Sequence, residues 1–351
     1  MNGNSIRTFL GSNSEHGFYS LYPQFPGKAE TYVIKGGPGS GKSGLMKKAA
    51  AAAAEQGHFV EYCYCSSDAG SLDAVRIPEK NICILDGTPP HTFEPRFPGA
   101  QDVILNTGLF WDRKKLRKNR EEIEILSHRI QTEFARTYRY LSAAGQSATE
   151  EHVTAEKGTN RKKMSDFVRN LLRRHGTPVC GEGTIHPRFL SSISPQGYIT
   201  NKDTLYTLCD RVFVLNDKYG VSDLFLDAAA EYAQKTGAEV YAFFDPLQPD
   251  RLRHIALPEI NLAFATSNRL HTFEPQNAYR IDLKRFTDLS EEDLVRCKKA
   301  EKVKDECLSE ALAALSREKA LHDDLEEYYI DAMDFRKLNQ YTNKVIKEIL
   351  A

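Results

Sequence analysis

The chain has 351 residues, 41% apolar and 27% charged, with a formal net charge of −1. That length predicts two domains, each able to bury its own core, and the near-neutral balance excludes a global field that draws the protein to nucleic acid or membrane. The apolar runs fall far short of a membrane span, the polar opening Met1-Asn2-Gly3-Asn4-Ser5 lacks a signal-peptide core, and an odd count of seven cysteines predicts reduced thiols and a cytoplasmic location.

Thr31-Tyr32-Val33-Ile34-Lys35 reads as a buried strand. Gly44 to Gln56 reads as a helix with Leu45, Met46, Ala49, Ala50 and Ala53 on one face. Between them Gly36-Gly37-Pro38-Gly39-Ser40-Gly41-Lys42-Ser43 spells G-x-x-x-x-G-K-[ST], the phosphate-binding loop, in the strand–loop–helix context it needs. Glycines let the main-chain N–H groups turn inward around a phosphate, Lys42 adds a point charge, and the helix N-terminus adds its dipole. Gly36 to Gly44 are the expected nucleotide cradle, and Ser43 is placed to hold Mg²⁺. The alternative, a glycine-rich turn without a ligand, fits poorly with Lys-Ser and the correct flanks.

The next strand is expected near 58–64. Cys63 and Cys65 lie two apart there, so they face one way. A redox or metal pair is one reading; two small core residues is the better one, since no second pair follows. Asp68 and Asp73 fall in the segment after it, at the sheet edge from which the glycine loop leaves. Asp68 either orients a water or substrate hydroxyl, or serves turn chemistry.

Ile82-Cys83-Ile84-Leu85 is a continuous apolar strand, as in a parallel sheet covered on both faces. It ends at Asp86, the Walker-B pattern: a carboxylate at the strand's C-terminal edge that holds Mg²⁺ directly or through water. Gly87 follows, where many hydrolysing ATPases carry a water-polarising glutamate, so the base lies elsewhere or hydrolysis is slow. A last strand is expected near 102–105.

From Asp112 onward Leu116, Ile123, Leu126, Ile130 and Phe134 recur at helical spacing, and about Ser290 to Leu350 does the same with Leu308, Leu312, Leu315, Leu321 and Leu325. Both stretches resemble antiparallel helical hairpins. Arg113-Lys114-Lys115-Leu116-Arg117-Lys118-Asn119-Arg120 reads as a solvated helix face, with a phosphate lid or nucleic-acid contact as alternatives. Arg174 to Pro187 is rich in Gly and Pro and reads as a linker; His175, Cys180 and His186 within it match no standard zinc spacing.

The chain is written twice. At an offset of 180 residues, positions 9–95 match 189–275 at nineteen places, including Ala49, Ala50, Ala53 and Gly57 against Ala229, Ala230, Ala233 and Gly237. His91-Thr92-Phe93-Glu94-Pro95 recurs as His271-Thr272-Phe273-Glu274-Pro275. This is a tandem duplication of one domain, not a short-period solenoid, with second-half strands expected near 211–215, 238–244, 260–266 and 279–283. Positions 36–43 correspond to Asn216, Asp217, Lys218, Tyr219, Gly220, Val221, Ser222 and Asp223. The lysine is gone, an aspartate replaces the metal serine, and added carboxylates repel phosphate, so the second copy keeps the fold and loses the site. The pentapeptide survives where that chemistry is lost, so it reads as a structural turn.

The expected architecture is α/β: two tandem P-loop NTPase-like parallel-sheet domains, each followed by a helical hairpin, the second copy degenerate. Its divisions are 1–111, a helical insert 112–175, a linker 176–188, the degenerate repeat 189–286 and a C-terminal helical segment 287–351. The doubled plan, Gly17-Phe18-Tyr19-Ser20, Ile34-Lys35-Gly36-Gly37-Pro38-Gly39 and Asp86-Gly87-Thr88-Pro89-Pro90-His91 resemble a family of tandem P-loop ATPases from Gram-positive, often spore-forming, bacteria. The resemblance implies a cytoplasmic ATP-binding protein and gives 36–44 the phosphate-loop role; family members usually carry a working loop in the second half too, and this chain departs from that at 216–223. ATP is the default nucleotide because no guanine-reading Asn-Lys-x-Asp is present. The functional expectation is an ATPase or ATP-switched protein with Lys42, Asp86 and Asp68 as catalytic candidates, Ser43 and Asp86 as Mg²⁺ ligands, and a protein partner on the helical hairpins. A small-molecule or nucleotide kinase and a non-hydrolysing ATP-binding scaffold are the alternatives.

Overall fold

Each half builds one six-stranded sheet, and five of its strands recur at the 180-residue offset. The computed structural model describes residues 5–90, 92–175, 183–269, 272–274 and 279–350; His91, Cys180, His271 and Pro275 lie outside the described residues. The first half runs β1 (Ser5–Phe9), a hairpin β2 (Gly11–Ser14) and β3 (Gly17–Ser20), β4 (Glu30–Lys35), α1 (Lys42–Glu55), β5 (Val60–Tyr64), β6 (Leu72–Ile77), β7 (Ile82–Asp86) and β8 (Asp102–Asn106). Helices α2 (Arg113–Lys118), α3 (Arg120–Lys157) and α4 (Arg161–His175) follow. The second half repeats the plan: β9 (Ile185–Arg188), β10 (Ser191–Ser194), β11 (Gly197–Thr200), α5 (Asp203–Leu208), β12 (Arg211–Asn216), α6 (Ser222–Lys235), β13 (Val240–Phe244), β14 (Leu252–Leu257), β15 (Leu262–Ser267), β16 (Tyr279–Asp282), α7 (Glu291–Asp331) and α8 (Phe335–Leu350). No helix among the described residues is long and apolar enough to cross a membrane.

The sheet orders are β1-β5-β6-β7-β4-β8 and, in the same sense, β9-β13-β14-β15-β12-β16. The expected parallel sheets are corrected to mixed ones. β6 is antiparallel to both β5 and β7, and β14 is antiparallel to both β13 and β15. The loop between β5 and β6, 65–71, is too short for a crossover helix, so the chain returns alongside the strand it has just left. The expected linker is corrected too: Ile185–Arg188 pairs in parallel with β13 as the edge of the second sheet.

The helical hairpins are also corrected. α3 and α4 do not fold back as a self-contained pair. Instead α3 packs along α7, and the order of their contacts, Glu133 with Arg317 and Glu151 with Lys304, makes the pair antiparallel. Leu126, Ile130 and Leu141 meet Leu325, Leu321, Leu315 and Leu308 along this seam. The terminal helices exchange halves. α4 packs on α6, and α8 packs on α1, where Val345 and Ile349 join the first half's core. An amphipathic helix must bury its apolar stripe. Here each stripe is buried against the other repeat, which helical periodicity alone does not specify.

Reciprocal main-chain bonds relate the halves. Phe9 and Phe189 exchange N–H···O bonds of 2.8 and 3.0 Å. Asp112 N–H donates to Ala332 O and Asp334 N–H to Phe110 O, while Asp288 donates to Gly158 and Asn160 to Phe286. The same junction is built twice, with 158 of the first half standing where 332 of the second does. Position 152 on α3 is therefore the counterpart of 326 on α7.

Within the recurring pentapeptide, 92–95 and 272–274 are described. Phe93 and Phe273 are both buried. Lys35 Nζ donates to the Gly87 and Phe93 carbonyls and to Glu94, tying this segment to β4.

Candidate functional site

The loop 36–43 leaves the C-terminal end of β4 and turns into α1. Gly39 and Gly41 have φ of 61° and 77°, left-handed conformations that side chains avoid. Ser40 Oγ donates to Gly37 O at 2.8 Å and receives the Thr107 hydroxyl at 3.0 Å, which pins the loop to the segment after β8. Gly41 is the N-cap of α1 and brings no side-chain cap. The first amides of that helix therefore meet no capping side chain, an arrangement that favours an anion.

Lys42 bends back over the loop. Its Nζ donates to the Gly36 and Gly37 carbonyls at 3.1 and 2.8 Å and lies 3.6 Å from Asp86 Oδ2. Asp86 ends β7 beside β4, as expected, and its Oδ1 accepts the Thr88 N–H and hydroxyl. Ser43 Oγ accepts the Leu72 N–H at 3.0 Å, joining the start of α1 to β6. The structure thus brings Lys42 and Asp86 together beside the glycine loop, with Ser43 one residue on.

Asp68 and Asp73 separate. Asp68 closes a turn, accepting the Gly70 N–H at 3.0 Å and the Ser71 hydroxyl at 2.5 Å. Burial works against its charge, but the Ser71 hydroxyl and Gly70 amide, with Lys319 and Lys47 nearby, hold its carboxyl below the usual range. Those contacts are turn chemistry. Asp73 is a buried β6 residue, not a loop residue. Burial pushes its carboxyl up to about 7, against the pull of Cys65, Tyr22 and Lys42. Cys63 is buried in the core, and burial pushes both the Cys63 and the Cys65 thiol up. Among the described residues no group of three or more His, Cys, Asp or Glu is placed to hold a metal ion.

A side chain at Gly87 has no room. A Cβ there would lie 2.5 Å from Val33 Cγ1 and 3.1 Å from Phe93 O. The basic run is mostly solvent-exposed, with Lys115 paired to Asp331 at the end of α7.

The residues missed in the sequence come from α7. A Cβ on Gly39 would lie 2.7 Å from Ile330 and 3.0 Å from Glu326 Cγ; one on Gly37 would lie 3.2 Å from Trp111 and 3.3 Å from Tyr329. The second half's long helix therefore lies against the first half's loop. One turn back along the same face is His322, and another turn back is Glu318, with Nδ1 to Oε1 at 3.9 Å. The i, i+4 spacing of Glu318, His322 and Glu326 was readable. That it faces the other repeat was not.

The corresponding loop in the second half is filled from within. Asp217 accepts the main-chain N–H groups of Val221 and Ser222, both at 3.0 Å. Its carboxylate thus occupies amides at the start of α6. His152 of α3 contacts the Gly220 carbonyl at 2.8 Å and lies 3.6 Å from Asp223. A cavity of about 550 Å³ opens beside this loop. Its charged lining pairs largely with itself, as in Arg253 with Asp245, Lys304 with Glu151 and Arg269 with Glu301.

No family model matches this chain, and comparison with curated proteins and with solved structures gives no match either.

Proposed function

We propose that this protein is a P-loop NTPase that binds ATP in its N-terminal repeat alone and hydrolyses it slowly to switch conformation. The observation that carries this reading is the approach of Lys42 to Asp86 at 3.6 Å beside a glycine loop whose helix starts without a side-chain cap. In it the loop amides and Lys42 grip the β- and γ-phosphates. The resemblance to tandem P-loop ATPases of Gram-positive bacteria agrees with it.

Ser43 and Asp86 offer the hydroxyl and carboxylate oxygens that Mg²⁺ takes. The Ser43 oxygen keeps a lone pair beyond the one that accepts Leu72 N–H, and Asp86 Oδ2 faces Lys42. Bound there, Mg²⁺ neutralises charge on the phosphates. The chain's own groups position the triphosphate. Lys42 exchanges its two carbonyl partners for phosphate oxygens, and the amides of Gly41 to Ser43 supply fixed donors.

Asp217 supports a single nucleotide site per chain. Its carboxylate accepts amides that a phosphate needs in the second repeat, and the lysine there is replaced by Ser222. Phosphate release from ATP, measured with wild type and Lys42→Ala, tests the reading. The expected result is loss of turnover in the variant; turnover indifferent to the change overturns it.

A further inference from the structure

Resting on that reading, we infer that the hydrolytic site is composite: α7, delivered from the second repeat, places His322 as the base that takes the proton from the attacking water. The first repeat offers no base next to Asp86. The position after Asp86 is Gly87, and the 2.5 Å approach of Val33 to its missing Cβ closes it to any side chain. The base therefore comes from another element.

α7 is the element that reaches the loop. Glu326 and Ile330 lie against Gly39, and Tyr329 against Gly37. At the other end of the same stretch, Lys319 lies within electrostatic reach of Asp68 in the turn after β5. His322 sits between these two anchors, on the helix face that carries Glu326 one turn later. Lys42, which meets Asp86 at the glycine loop, is among the charges that act on the His322 imidazole. Its imidazole is 41% exposed, so a water can reach it.

The second repeat supports the placement of the long helix, at position 326, against the loop. His152, the counterpart of Glu326, reaches from α3 to the opposite loop, bonding Gly220 O at 2.8 Å and approaching Asp223 at 3.6 Å. Asp223 stands where Ser43 stands in the first repeat. Long-helix side chains at these positions thus meet the loop of the other repeat in both halves.

The groups facing His322 suit a base. Glu318 lies behind it at 3.9 Å and Glu326 ahead of it, while Lys319 and Asp323 flank it on α7 and Lys42 faces it from α1. Burial, then Lys319 and Lys42, hold the imidazole below its ordinary value against Glu326 and Asp323, so it is neutral near pH 7 and free to accept. In the step, the water oxygen bonds to the γ-phosphorus as the bond from that phosphorus to the bridging oxygen of ADP breaks. The water proton passes to His322, leaving an imidazolium that Glu326 stabilises. ADP departs with the bridging-bond electrons, and the imidazolium returns its proton to solvent.

The test compares wild type, His322→Asn and Glu326→Gln by ATP calorimetry and by phosphate release from pH 5 to 9. The wild type is expected to lose activity on its acid limb, at a pH below that at which an ordinary imidazole titrates. His322→Asn is expected to bind ATP within threefold of wild type, to turn over roughly 10²–10³-fold more slowly, and to lose that limb. Glu326→Gln is expected to keep binding and move the limb to lower pH. A His322→Asn rate and pH profile like those of wild type overturn the assignment, as does a wild type that binds ATP without turnover. Absence of ATP binding by wild type instead removes the nucleotide reading beneath it.

Discussion

Arg188 on β9 and Glu61 on β5 form a bidentate ion pair at the junction of the two sheets, Nε to Oε1 at 2.5 Å and Nη2 to Oε2 at 3.1 Å, with both side chains 3% exposed. The Thr8 hydroxyl completes the Glu61 shell, and the guanidinium stacks 4.5 Å from the Phe25 ring. One repeat supplies the acid and the other the base, so the pair ties the halves together. Burial works against the Glu61 charge, but Arg188 more than offsets it and holds the carboxyl below its usual range. Glu61→Ala leaves a buried guanidinium unpaired and is expected to cost about 3–5 kcal/mol. Because the folded pKa is depressed, the pair's contribution is present above about pH 4.5 and lost as pH falls through the folded value. Urea unfolding measures both effects, and a loss of unfolding free energy under about 1 kcal/mol would count against this role.

Glu318 titrates in the opposite sense. Burial on the α3–α7 seam pushes its carboxyl up to about 7, and its side chain is 2% exposed. A raised acid binds its proton more tightly in the folded chain, so folding stability falls as pH rises from about 4.5 to about 7. Glu318→Gln is expected to flatten that fall and to stabilise the protein above pH 7 by up to about 3 kcal/mol. Thermal unfolding across this range checks it. An unchanged pH slope in the variant contradicts the environment described for Glu318.

Trp111 is a built-in reporter. It is the chain's one tryptophan, its ring lies 3.2 Å from where a Cβ on Gly37 would be, and it packs against Tyr329 with centroids 5.5 Å apart. Nucleotide that reorders the glycine loop changes this contact. ATP with Mg²⁺ is expected to shift or quench its fluorescence in wild type and not in Lys42→Ala. Binding seen by calorimetry with a silent Trp111 would mean that the loop does not move against α7.

The strands around the loop were legible because continuous apolar runs at 32–34 and 82–85 have few other readings. The duplication was legible because His-Thr-Phe-Glu-Pro recurs in register. Asp112 and Ser290 were readable as helix starts, and both cap their helices with side-chain oxygens. The antiparallel β6 escaped because Leu72–Ile77 mixes Asp73 and Arg76 with its apolar residues, and a buried aspartate has no signature in periodicity. The exchange of terminal helices escaped for a different reason. Each helix carries one apolar stripe, and sequence spacing says that it is buried without saying against which repeat. His322 and Glu326 were missed for that reason. The filled second loop was half legible: the added carboxylates were visible, but Asp217 turning inward onto its own amides was not.

Isothermal titration of the wild-type chain with ATP and Mg²⁺ reads out whether one triphosphate is held at 36–43. The expected result is saturable uptake of one ATP per chain, abolished or strongly weakened by Lys42→Ala. No heat of binding at millimolar ATP would contradict the nucleotide site, and two equivalents per chain would contradict the self-filled second loop.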